Sequence, residues 1–210
     1  MKTTIVFLSW LLLSPYAHSQ QSAITDTGET VYLYADGTWV YESEELQADA
    51  DIPTNPTTFT KPDSADFKVR SKIANVDFWI DSSKWKFHRA NNNPDAEYEF
   101  QLKEGDLYGM AIIEEIEIKL PELAGIALQN ARSFAPDARV VEKEYREVNG
   151  KNVLRLRIDG TGNGIEFTYI GHYYSDASGS TQFIAYTAQS LLGKYEAQIE
   201  DFLNGIAPRD

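Results

Sequence analysis

Acid–base chemistry near neutral pH most often falls to histidine, and beyond residue 20 this chain has only His88 and His172. A Ser-His-Asp hydrolase would need one of them as base, with a nucleophile and an orienting carboxylate in reach. The sequence has no Gly-x-Ser-x-Gly elbow. His172 falls in the run Tyr169-Ile170-Gly171-His172-Tyr173-Tyr174, and His88 follows Trp85-Lys86-Phe87. Both read as ordinary strand or loop histidines. In Glu114-Glu115-Ile116-Glu117, strand alternation would place Glu115 and Glu117 on one face, the kind of pair that glycosidases use as acid and base. Nothing around them signals a sugar cleft, and a solvated rim is the better reading. Asp159-Gly160-Thr161-Gly162-Asn163-Gly164 begins like a calcium loop, yet its twelfth position is Ile170 where an EF-hand has Glu. It reads as a Gly-rich hairpin connection. The absence of any cysteine excludes thiol nucleophiles, iron–sulfur clusters and Cys-based zinc sites. The reading is therefore no catalytic set, no metal site and no cofactor.

Aromatic residues give the denser signal. Tyr32, Tyr34, Trp39 and Tyr41 cluster in one short segment, and Tyr169, Tyr173 and Tyr174 share a later one. Aromatic side chains bury large areas with few rotors, which suits binding surfaces and cores alike. The first cluster surrounds Asp36-Gly37, a two-residue turn signal between β-formers. That turn would set Tyr34 opposite Trp39 and Tyr32 opposite Tyr41, making one aromatic face with Leu33 and Val40 on the other. Tyr32, Tyr34, Trp39 and Tyr41 are the candidate partner surface. A two-stranded hairpin is marginal alone and needs something to dock on, its own domain first of all.

The elements that would position these residues follow from periodicity. Residues 20–46 form the hairpin unit, and 47–65, with Pro53, Pro56 and Pro62 among Asp, Thr and Ala, read as an extended linker. From residue 66 onward come strands at Val76–Asp81 and Trp85–Phe87, then Tyr98–Leu102 and Leu107–Ile118. A helix follows over Pro121–Phe134, with Leu123, Ile126, Ala127, Ala131 and Phe134 on its inner face. Val140–Val148 and Val153–Asp159 flank Asn149-Gly150, a second hairpin turn. Its register sets Glu144 opposite Arg155, Glu142 opposite Arg157, Tyr145 opposite Leu154, Lys143 opposite Leu156 and Val141 opposite Ile158. Strands at Ile165–Tyr174 and Gln182–Ala188 come next. The last helix starts near Ser190 as N-cap and buries Leu192, Tyr195, Ile199, Phe202, Leu203 and Ile206. The fold class is α+β with a mainly antiparallel sheet.

This order resembles the PsbP-like superfamily, the PsbP, Mog and DcrB type of exported domain, over about residues 66–206. The resemblance rests on an early strand leading into Trp85 through Ile80-Asp81-Ser82-Ser83-Lys84, the mid-chain helix, the Asn149-Gly150 hairpin, two more strands and a closing helix. Where members often carry Pro three residues before that Trp, this chain has Ser82. The resemblance implies a three-layer α/β/α sandwich and a binding or accessory role. It carries over no functional residue, because the family has no shared catalytic set.

Compartment is read from the start of the chain. Lys2, the apolar run Ile5–Leu13, Pro15 and the small-residue pattern Ala17-His18-Ser19 have the layout of a secretory signal peptide over residues 1–19. The run is short of the ~20 apolar residues that span a bilayer. The formal charge of −13 disfavours nucleic acid and anionic membranes as partners. The expectation is thus an exported, periplasmic or extracellular, non-enzymatic protein. It would bind a protein partner or a small apolar ligand, with no nucleic acid and no membrane span. The competing classes are an envelope hydrolase using His172 or Glu115 and Glu117, and a purely structural envelope component.

Overall fold

The computed structural model describes residues 21–25, 30–33, 39–41, 52–91 and 93–209. The chain divides into two units, Met1–Ala48 and Asp49–Asp210. In the first, strands β1 (Gln21–Ile24), β2 (Thr30–Leu33) and β3 (Trp39–Tyr41) make an antiparallel sheet in that order. Leu33 stands opposite Trp39, Tyr32 opposite Val40 and Val31 opposite Tyr41. The expected register, with Tyr32 across from Tyr41, is therefore off by one residue. An unexpected strand, β1, lies along the other edge of β2 and pairs Ala23 with Val31, which is buried. Because the side-chain period is two, a one-residue shift moves the side-chain set of β3 to the other face from the one that Asp36-Gly37 alone suggested. Tyr34 and the turn lie outside the described residues.

The second unit runs β4 (Thr54–Phe59), β5 (Phe67–Arg70), β6 (Val76–Ile80), β7 (Trp85–Arg89), β8 (Ala96–Leu102), β9 (Tyr108–Glu114), helix α1 (Leu120–Phe134), β10 (Arg139–Val148), β11 (Lys151–Gly162), β12 (Ile165–Asp176), β13 (Gly179–Ala188), helix α2 (Leu192–Leu203) and β14 (Ile206–Pro208). One mixed sheet has the order β4-β10-β11-β12-β13-β9-β8-β7, and a small one has the order β14-β6-β5.

The β10–β11 hairpin keeps four of its five expected pairs. Asn149 and Gly150 both have positive φ, as a two-residue hairpin turn requires. Glu144 faces Arg155, Glu142 faces Arg157, Tyr145 faces Leu154 and Lys143 faces Leu156. The expected Val141–Ile158 pair is replaced by Val140–Ile158, because a bulge lets Val141 drop out of the ladder into solvent. The segment read as a linker is not extended, solvated chain throughout. Its Thr54–Phe59 stretch joins the sheet as β4, parallel to β10, with Thr54 beside Tyr145 and Phe59 beside Val148. Pro56 is tolerated there because β4 is an edge strand.

Two core clusters form, drawing on alternate residues of strands β9 and β13. Phe183, Ala185, Ala111 and Ile113 join α2's Tyr195, Ile199, Phe202 and Leu203, together with Val69, Phe78, Ile80 and Ile206 of the small sheet. Ile184, Ile112, Leu154, Leu156 and Ile158 join α1's Leu123, Ala124, Ala127 and Ala131. Phe134 is 51% exposed rather than part of the inner face of α1, although its ring lies 5.9 Å from that of Phe167. Ser190 is no cap. It sits in a 3-10 turn over Gln189–Leu191, and α2 starts two residues later without a side-chain cap. Ile206 belongs to β14, paired with Phe78, not to the helix.

Candidate binding surface

Helix α1 packs on β11 and β12. Toward β13, β9, β8 and β7 the same face of the sheet carries a different set of residues. Register places Tyr169 of β12 beside Tyr186 of β13, Tyr186 beside Tyr108 of β9, Tyr108 beside Gln101 of β8 and Gln101 beside Lys86 of β7. Directly opposed residues share a face, so this is one row across five strands with three adjacent tyrosines. The next row holds Gly171, Ile184, Met110, Glu99 and His88.

The tyrosine rings form a connected path. Tyr108 stacks on Tyr186 at 5.5 Å, and Tyr186 meets Tyr169 edge-on at 5.5 Å. Tyr169 continues to Phe167 at 4.6 Å and Phe167 to Phe134 at 5.9 Å. All three tyrosines are half-buried, with apolar flanks packed together. Burial first, then the nearby Tyr169 and Glu99, pushes the Tyr186 hydroxyl up to about 12. Burial likewise raises Tyr169. The Tyr169 and Tyr186 phenols therefore stay neutral over the physiological range and act as hydrogen-bonding groups, not as bases. Asn93 rims the surface, its backbone N–H donating to Glu99 at 3.0 Å and its Nδ2 lying 3.6 Å from the Met110 sulfur. His88 Nε2 is 3.7 Å from Glu99 Oε2.

The residues singled out from sequence are dispersed. Trp39 is 56% exposed in the first unit. His172 is fully buried in β12, with its Nδ1 3.1 Å from the Leu203 carbonyl. Burial, reinforced by Arg155 and Arg146, holds its imidazole well below the usual pKa. Glu115 and Glu117 do not share a strand face, because β9 stops at Glu114 and both lie exposed in the connection that follows. Asp159 is not in a loop. It sits within β11, where Arg157 grips its carboxylate with two hydrogen bonds of 2.9 and 3.0 Å and the Thr168 hydroxyl donates to it at 2.7 Å. Among the described residues, no group of three or more His, Asp or Glu stands together as a metal-ligand set. Tyr173 is a core residue, and Tyr174 donates to Asp176, which leaves Tyr169 as the member of that cluster on the open face. Tyr108 and Tyr186 carry no signal in sequence, since each is one aromatic in a strand until strand order brings the three together.

The opposite face carries an ion-pair ladder foreshadowed by the hairpin register. Arg157 pairs with Glu142 at 3.0 Å, and Arg155 and Arg146 both reach Glu200 of α2. Arg146 also pairs with Glu144, which accepts from Asn55 of β4 at 3.3 Å. Arg146 lies 4.5 Å over the Phe59 ring.

This topology has solved counterparts. PsbP (CyanoP) from Synechocystis sp. PCC 6803 superposes with a TM-score of 0.52 at 12% identity, covering 68% of this chain and 92% of that one. The fold is PsbP-like. LpqN, described as involved in cell envelope biogenesis of Mycobacterium tuberculosis, has a TM-score of 0.45 at 12% identity, covering 74% of this chain and all of that one. PA94 of Pseudomonas aeruginosa, a protein of unknown function, has a TM-score of 0.44 at 11% identity, covering 69% of this chain and 97% of that one. No protein-family model matches the sequence. No curated protein matches it either.

Proposed function

We propose that this chain is an exported, non-enzymatic binding or accessory protein, periplasmic or extracellular, with its PsbP-like unit layered as an α/β/α sandwich. The observation that carries the binding role is the row Tyr169-Tyr186-Tyr108 on the part of the sheet face beyond α1. Half-buried tyrosines give apolar contact area and oriented hydrogen-bonding groups at little entropic cost on association. Of the set Tyr32, Tyr34, Trp39 and Tyr41, the exposed Trp39 is carried forward as a second contact point in the first unit. The occupant is a protein partner or a small apolar ligand. Export is supported by the leader-like residues 1–19, and no helix among the described residues is long and apolar enough to cross a membrane.

The test compares the protein with a Tyr108→Ser/Tyr186→Ser variant in affinity capture from envelope extract, after circular dichroism shows both folded. The expected result is a species retained by the first and lost by the second. Retention unchanged by the double substitution removes the tyrosine row from the reading. A Trp39→Ser variant run beside it decides whether the first unit contributes.

A further inference from the structure

The last turn of α2 is held to the sheet by polar groups that lie inside the protein. His172 of β12 sits opposite Arg155 of β11, and both side chains are more than nine-tenths buried. The imidazole Nδ1 lies 3.1 Å from the Leu203 carbonyl, an acceptor, so Nδ1 carries the proton and Nε2 is a bare acceptor. Beyond Leu203, Asn149 Nδ2 donates to the Asn204 carbonyl at 2.9 Å and to the Ile206 carbonyl at 2.7 Å, tying the start of β14 to the β10–β11 turn.

The charged groups around His172 balance only while it is neutral. Arg155 of β11 and Arg146 of β10 act on His172 directly; Glu200 of α2 and Glu142 and Glu144 of β10 act on Arg155, and β13 offers the apolar Phe183. Arg157 is taken up by Glu142 and Asp159. Two arginines therefore face two carboxylates, Glu200 and Glu144, both already engaged. Three buried side-chain atoms have no hydrogen-bond partner among the described residues: Arg155 Nη1, His172 Nε2 and Asn204 Oδ1. With neutral His172 these are one donor and two acceptors. Protonation converts Nε2 into a second donor and adds a third positive charge to a site that water does not reach.

We propose that His172 is a proton-operated latch: charging its imidazole releases the C-terminal turn of α2, and β14 after it, from the sheet. Release lifts Phe202 and Leu203 from Trp85, Phe100 and Phe183, uncovering an apolar face that is closed above neutral pH. The sign follows from linkage. The open form takes up the proton near the ordinary imidazole value of 6.5 and the closed form only far below it, so closure is full above 6.5 and weakens as pH falls. One proton per opening makes the opening constant rise by up to about tenfold per pH unit.

Hydrogen exchange between pH 8 and 5.5, above the range in which Glu144 and Glu200 take up protons, corrected for intrinsic rates, reads this directly. The expected result is a steepening opening of 192–208 below pH 6.5 while α1, residues 120–134, keeps its protection. In His172→Asn the amide still donates toward the Leu203 carbonyl but takes no charge, so the opening of 192–208 becomes independent of pH in this range. The same acid dependence in that variant, or α1 and α2 opening together in the unsubstituted protein, overturns the proposal. Imidazole NMR of the unsubstituted protein decides the matter even if the variant does not fold. The ring must stay neutral with its proton on Nδ1 until α2 opens, and an imidazolium signal with α2 still protected refutes the latch.

Discussion

Placing a methyl group on Gly109 tests how closely α2 is seated on the sheet. Gly109 lies in β9 between Tyr108 and Met110, which face the other way. A Cβ built there would stand 2.7 and 2.8 Å from two atoms of the Phe202 ring and 3.1 Å from the Ile184 carbonyl oxygen. The ring cannot swing aside freely. Trp85 stacks on it at 4.2 Å, Phe183 lies at 4.3 Å and Phe100 at 5.2 Å. Overpacking of this kind costs ~1–3 kcal/mol. For a chain of this size that is a fall in Tm of roughly 5 °C. Phe202→Leu alone removes ring atoms from a filled core and costs ~1–2 kcal/mol. In the double variant the shorter side chain gives the methyl room, so the two costs should overlap by about 1 kcal/mol or more. Urea unfolding followed by circular dichroism, run as a double-mutant cycle, measures that coupling. Additivity within ~0.5 kcal/mol would refute the argument that the Gly109–Phe202 contact sets the seating distance.

Three further outcomes follow from the same geometry. In an alkaline titration followed at 295 nm, Tyr186 should ionise near 12, and Tyr169 and Tyr173 above the ordinary tyrosine value of 10. Because these folded values are raised, stability is full below pH 10 and falls as pH climbs toward 12, and a native protein whose tyrosines all ionise near 10 would contradict the packing. Asn149→Gly keeps the turn conformation but deletes the bonds to the Asn204 and Ile206 carbonyls and the one accepted from the Lys61 N–H. It should cost roughly 3 kcal/mol by chemical denaturation, against near neutrality if Asn149 served the turn alone. Glu200→Gln leaves Arg146 and the buried Arg155 without their shared carboxylate and should cost ~3–5 kcal/mol, whereas a loss under ~1 kcal/mol would class the bridge with surface ion pairs.

Much of the fold was readable from sequence where the signals are local. Asn149-Gly150 fixed a register in which Glu144 met Arg155 and Glu142 met Arg157, because turn geometry and cross-strand charge agreed. The bulge at Val141 was not readable, since nothing in Val140-Val141-Glu142 marks which valine leaves the ladder. β4 hid behind Pro56 and a polar composition, and it is a strand only because β10, some ninety residues on, offers an edge. In the first unit the strand β1, with no turn signal of its own, was likewise not readable. The candidate surface was the least legible part. Tyr169, Tyr186 and Tyr108 become neighbours only through the order β12-β13-β9, which skips past α1 and three strands of chain. Alternation says which residues share a face, but not which strands share a border.

The order β13-β9 also bears on how the molecule assembles. β10 to β13 form a run of successive antiparallel neighbours, and so do β7 to β9; each can zip up from its own turns. Joining the two runs at the β13–β9 seam means closing a loop that contains α1, β10, β11 and β12. Such closure is entropically uphill until the ladder from Tyr186–Tyr108 to Ser180–Glu114 is in place, so this seam carries the largest loop-closure cost between the two runs. The tyrosine row straddles that seam: Tyr169 and Tyr186 arrive with one run and Tyr108 with the other, so the row is completed only when the seam closes.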